Sequence, residues 1–229
     1  ALRKSIDNII VNSHDKETSD LLRGLILADR SGIDAETKNA FVNSGVIHIL
    51  AVSGLNVGYV ILIFIIVFGR FSIYIRSILT VFGLIIFMLI TGTTPPVVRA
   101  TIMGIIIIFT FLSNRSTNIF NSISIAAAII LFFSPQQIYD PGFQLSFGAV
   151  LSTAIIYPYL QCWIEKLNLR LKWIEKIFLF MGVSLSAQLG TIPFTLIYFS
   201  KLSVVSIFAN LFVIPISGII TAIAFITIF

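Results

Sequence analysis

Acidic residues are scarce in the middle of the chain: Asp140 is the only one between Glu36 and Glu165. Ion-coupled transport usually wants carboxylates at membrane depth, so these spans offer little for it. Cysteine is nearly missing. The single Cys162 excludes an internal disulfide and a cysteine-cluster metal site, and it reads as an ordinary residue near a helix end. Charge of both signs is scarce, at 11% of 229 residues, where a soluble domain carries about 25%. What fills the chain instead is apolar: 57% hydrophobic residues and a mean hydropathy of +1.03. That points to a polytopic membrane protein, not to a large soluble core. The net charge of +5 is spread over loops and forms no basic block. No cleavable signal peptide is visible. The start, Ala1-Leu2-Arg3-Lys4, lacks methionine and the end stops inside an apolar run, so both read as cuts in a longer chain.

Residues 1–47 differ from the rest, with six basic and seven acidic residues. Leu2, Ile6 and Ile9 lie at helical spacing, His14 to Asp20 reads as a polar loop, and Leu21, Leu22, Leu25 and Ile26 recur on one helical face. Asp34 is placed to cap a helix ending near Gly45. Seven apolar runs follow, at 48–68, 73–90, 97–112, 119–133, 143–160, 177–197 and 203–229. The expected fold is an all-α, polytopic transmembrane helical bundle of about seven spans, some broken or re-entrant. The 119–133 run is short for a span, and Pro215 makes the last run one kinked helix or two broken ones. Lys and Arg concentrate in 69–77, 113–118 and 161–176, whereas 91–96 and 134–142 have none. The positive-inside rule then puts residues 1–47 outside the cytoplasm. Trp163 and Trp173, with Leu167, Leu171 and Ile174, suggest an amphipathic helix over 161–176, either an interfacial anchor or a docking surface for a cytoplasmic partner.

Polar residues inside apolar runs are the candidates for function. His48-Ile-Leu-Ala-Val-Ser53-Gly54-Leu-Asn56-Val-Gly58 opens the first run. Without an acid or a Gly-x-Ser-x-Gly elbow, His48 and Ser53 support an intramembrane hydrolase only weakly. Gly54 and Gly58 either let helices approach closely or mark an unwound turn. Arg99 follows Thr91-Gly-Thr-Thr-Pro-Pro-Val-Val. It either snorkels to lipid phosphate or holds a guanidinium at a pore mouth. Asp140 caps the next span or pairs with Arg99, and Gln144, Gly148 and Ser152 recur every four residues after it. Gly182, Ser186 and Gly190 form one stripe; Ser184, Gln188, Thr191 and Thr195 form another; Asn210 adds an amide in the last run. Pro193 and Pro215 join the glycines as packing or hinge positions.

Six stretches occur together: 28–34, 48–58, 91–100, Asp140-Pro-Gly-Phe-Gln-Leu-Ser-Phe147, Ala187-Gln-Leu-Gly-Thr-Ile-Pro193 and Ala209-Asn-Leu-Phe-Val-Ile-Pro215. In this order they resemble the competence domain of the ComEC family, the inner-membrane channel for DNA uptake in bacterial transformation. The family usually has His after Ser-Gly-Leu, where this chain has Asn56, so an imidazole role there does not carry over. The resemblance implies a channel domain at 48–229 that passes single-stranded DNA, with His48, Ser53, Asn56, Arg99, Asp140, Gln144, Gln188 and Asn210 along the path. It implies no enzyme activity in this segment, no cofactor and no metal. The implied partners are single-stranded DNA, the lipid bilayer, a DNA receptor, a cytoplasmic helicase or ATPase, and further copies of the chain. The rival functions are a small-solute transporter and, least favoured, the hydrolase.

Overall fold

The computed structural model describes residues 2–13, 15–27, 29, 31–43, 54–113, 118–167, 171–200 and 205–228. Among the described residues the fold is all-α. The helices are α1 (Leu2–Ser13), α2 (Lys16–Leu27), α3 (Ala35–Asn43), α4 (Gly54–Val67), α5 (Ile73–Ile90), α6 (Pro95–Leu112), α7 (Ile119–Phe133), α8 (Pro141–Lys166), α9 (Lys172–Phe199) and α10 (Val205–Ile228), with a 3-10 turn at Pro135–Tyr139. Five of them, α5, α6, α8, α9 and α10, are long and apolar enough to cross a membrane, and α4 and α7 are shorter apolar helices. A run of about 20 residues is needed to cross some 30 Å of hydrocarbon, so α7 at 15 residues falls short.

Two local expectations change, and one left open is decided. The segment 161–176 is not one amphipathic helix: α8 runs on to Lys166 and α9 begins at Lys172, so Trp163 and Trp173 belong to two different long helices. The polar stretch from Lys16 to Asp20 is helical, because it forms the first turns of α2 with Glu17 near the helix's positive end. The last run is a single helix with Pro215 inside it. Asp34 does cap α3, its carboxylate accepting the Thr37 amide at 3.1 Å.

The chain divides into two compact units, 1–117 with 215–229, and 118–214. In the first, α4, α5 and α6 bury Val57, Val60, Leu84, Phe87 and Val97 against one another. Glycine allows the close fit: a Cβ at Gly83 would strike the Phe64 ring, and one at Gly104 would sit 3.0 Å from Ile61 Cδ1. The α1–α2 hairpin packs Ile6, Ile10 and Leu27 onto Ile90 at the end of α5. One guanidinium holds the hairpin together. Arg23 Nε lies 2.8 Å from Asp7, Nη2 2.9 Å from Asp29 and Nη1 3.5 Å from Asp20. Hydrogen bonds from the Ser31 hydroxyl and amide hold the Asp29 carboxyl below its ordinary value, and the Arg23 and Arg3 charges push the same way.

The second unit is built on the antiparallel pair α8–α9. A Cβ on Gly190 would overlap Ser152 and the Gly148 carbonyl, so the two backbones touch there. Ser152 Oγ donates to the Ser186 carbonyl at 2.7 Å across the pair. Without a hydrophobic drive between helices in lipid, such small-residue contacts set the association.

Candidate functional site

The residues singled out in the sequence fall into both units, and His48 and Ser53 lie outside the described residues. In the first unit, Asn56 on α4 is 2% exposed and Arg99 on α6 is 3% exposed. The snorkelling alternative therefore fails for Arg99, since a snorkelling side chain would keep its head at the surface. Burying a guanidinium costs several kcal/mol unless partners offset it. The start of α4 lies beside the start of α6: a Cβ at Gly54 would sit 3.3 Å from Ala100 Cβ. A Cβ at Gly58, by contrast, would meet nothing within 4 Å. Arg99 thus stands next to a residue that touches the His48–Gly58 block.

The turn that delivers Arg99 is locally determined. Thr91 donates its hydroxyl to the Phe87 carbonyl at 3.0 Å and is fully buried. Gly92 (φ 78°) and Thr93 (φ 54°) follow in left-handed backbone, where glycine carries no Cβ penalty. The Gly92 and Thr93 amides donate back to Leu89 and Met88. Pro95 and Pro96 then open α6, where a missing N–H costs nothing.

In the second unit Asp140 caps α8, accepting the Phe143 amide at 3.0 Å. Gln144 is engaged at both ends: Nε2 donates to the Ile138 carbonyl at 2.9 Å, and Oε1 accepts from the Tyr198 hydroxyl at 2.9 Å. Gln188 Oε1 accepts from Ser206 at 3.2 Å. One turn beyond Ser206, Asn210 keeps an enclosed Oδ1 that makes no hydrogen bond among the described residues. Gly182, Ser186 and Gly190 lie on the α9 face toward α8, with Ser186 donating to the Gly182 carbonyl at 2.7 Å. Pro193 and Pro215 are both exposed positions within continuous helices. A cavity of about 470 Å³ lined by Ile119, Ala149, Val150, Thr153, Ala154, Tyr157, Pro158 and Ala187 has no charged residue.

Sequence reasoning missed two elements. Tyr59 and Ser217 share a hydrogen bond of 3.0 Å across 158 residues of sequence, joining α4 to the second half of α10. The signal was the pair Ser217 and Thr221, one turn apart in the last apolar run and both buried. Arg3, at the start of α1, donates to the Leu27 carbonyl at 2.9 Å, and a Cβ on Gly92 would strike its guanidinium.

The chain matches the family model described as Competence protein over residues 25–229. It is 28% identical over 226 residues to ComE operon protein 3 of Bacillus subtilis (strain 168), covering 94% of this chain and 27% of that protein. It is 31% identical over 161 residues to an uncharacterized protein of Aquifex aeolicus (strain VF5), covering 67% of this chain and 38% of that one. The chain thus spans well under half the length of these two relatives. No solved structure matches. With the family model covering most of its residues, and with five long apolar helices, this membrane protein belongs to the Competence protein (ComEC) family.

Proposed function

We propose that this chain forms part of the path by which single-stranded DNA crosses the bacterial cytoplasmic membrane during natural transformation. The observation that carries this reading is Arg99, buried to 3% exposure on a membrane helix in a Competence-family chain. DNA brings one negative charge per phosphate into a low-dielectric slab, so its path must replace water with donors and cations. A guanidinium suits phosphate because it offers planar, bidentate donors and does not lose its charge. In this proposal Arg99 meets phosphate near the outer mouth, and Asn56, Gln144, Gln188 and Asn210 offer amides further along. Residues 1–47 lie outside the cytoplasm, as the loop charges favour. Residues 48–229 act as a channel domain without catalysis, alongside a DNA receptor, a cytoplasmic helicase or ATPase and further copies of the chain.

The test is uptake of labelled DNA by cells carrying Arg99→Ala or Arg99→Glu. Both variants should lose uptake while remaining in the membrane at normal levels. Undiminished uptake in both removes the role given to Arg99. Saturable uptake of a small solute without DNA would favour a transporter instead.

A further inference from the structure

A phosphate arriving at the start of α6 meets an unusual helix end. Helix N-termini commonly hold anions with free backbone amides. Here the first two positions are Pro95 and Pro96, which carry no N–H. The preceding amides of Gly92 and Thr93 are already donated to Leu89 and Met88. That leaves the amides of Thr94 and of the fully buried Val97, so side-chain donors carry most of the weight at this rim. Arg99 sits four residues into the helix, about 6 Å along its axis from Pro95.

A second guanidinium is held at the same rim by a different element. The α1–α2 hairpin is fastened to the end of α5 by Ile6, Ile10, Leu27 and Ile90. Its two arginines have different fates. Arg23 is engaged by Asp7, Asp20 and Asp29. Arg3 instead donates Nη2 to the neutral Leu27 carbonyl at 2.9 Å, and its charge is shared with Asp29, whose carboxyl it helps hold low. Its Nη1 lies against Gly92, where any Cβ would strike it, and the residue is exposed. The left-handed turn thus leaves room for this guanidinium above the helix that carries Arg99.

We propose that Arg3 is a second phosphate-contacting residue, presented by the α1–α2 hairpin at the α5–α6 rim so that Arg3 and Arg99 receive a single-stranded DNA backbone in succession. The inference rests on the reading of Arg99 given above. It also gives the hairpin a role, which is to hold a cation over the mouth. The bond to Leu27 then orients the guanidinium through one Nη2 hydrogen and leaves its other N–H groups for a phosphate.

Counting phosphates by salt dependence separates this from a merely structural clamp. The chain in nanodiscs of zwitterionic lipid is titrated with a fluorescein-labelled thymidine oligonucleotide between about 50 and 200 mM KCl; each phosphate neutralised on a single strand contributes about −0.7 to the slope of log K against log salt. Arg3→Gln should make the slope shallower by about 0.7, and Arg3→Lys, which keeps the charge, should retain the wild-type slope. Partly unfolded protein lowers the bound amplitude and leaves the slope of the remainder alone, so misfolding does not imitate the result. A wild-type slope in Arg3→Gln overturns the inference. If Arg99→Gln is then shallower, only the role of Arg3 falls; if Arg99→Gln also keeps the wild-type slope, the Arg99 reading falls with it.

Discussion

Gly182 and Gly190 sit on one stripe of α9, yet adding a methyl group should have opposite consequences at the two sites. At Gly182 a Cβ would rest 3.7 Å from Ile164 and 3.8 Å from Tyr157, ordinary van der Waals contact. At Gly190 it would overlap Ser152 Cβ and the Gly148 carbonyl. Carbon atoms settle at about 3.5–4.0 Å, so α8 and α9 would have to part by roughly 1 Å or more. The Ser152–Ser186 hydrogen bond, now 2.7 Å, would be drawn out past its useful range. Overpacking of this kind costs about 1–3 kcal/mol. The lost interhelical bond adds about 0.6 kcal/mol, the average found between membrane helices. Against this, alanine gains about 0.8–1.0 kcal/mol over glycine in helix propensity. The net for Gly190→Ala is a destabilisation of about 1–3 kcal/mol, and for Gly182→Ala a change between zero and about 1 kcal/mol of stabilisation. Gly58→Ala, facing open space, serves as a third point and should behave like Gly182→Ala. Unfolding of the purified protein by SDS titration, followed by helical circular dichroism, reads all three. Equal stability of Gly190→Ala and Gly58→Ala would refute the close backbone contact.

Two further outcomes test the edges of the helices. Asp140→Ala removes the cap on the Phe143 amide and should cost about 1 kcal/mol, with faster hydrogen exchange confined to the first turn of α8, whereas Asp140→Asn should retain most of the protection. The Asp29 carboxyl is held low by Ser31 and then by Arg23 and Arg3. A carboxylate with a depressed folded value contributes stability above its unfolded value of about 3.9 and loses it as pH falls through the folded value. Protease resistance of the α1–α2 hairpin should therefore hold from neutral pH to about pH 5 and decline below about pH 4, and Ser31→Ala should shift that decline to higher pH. A decline centred near pH 6 would point to another group.

Helices were legible in this chain because hydropathy and capping are local. The runs 73–90 and 119–133 coincide with α5 and α7, and Asp34 and Asp140 announce the starts of α3 and α8 through side chains three residues from the amides they cap. The break between α8 and α9 was hidden because the tryptophans and leucines of 161–176 keep helical spacing across it. Partners across space were not legible. Gln144 with Tyr198, Ser152 with Ser186 and Tyr59 with Ser217 depend on helix register, which no spacing within one helix encodes. The stripe of small residues on α9 could be read, but not which member touches backbone. The burial of Arg99 was equally out of reach, since an arginine near a helix end can point outward or inward at the same sequence position.

The hydroxyls of the apolar helices carry a consequence for any anion that passes them. Thr80, Thr91, Thr110, Thr153, Ser186, Thr195 and Thr221 each give their hydrogen to a carbonyl one turn back in their own helix. A hydroxyl has one hydrogen to give. Once it is turned inward, the oxygen presents only lone pairs, and phosphate oxygens are acceptors too. Each of these seven hydroxyls therefore repels a phosphate unless it rotates and gives up its own helix's bond. Counted as donors, they promise a nucleic-acid backbone more than they hold. A guanidinium, whose hydrogens are not turned away in this manner, keeps that capacity.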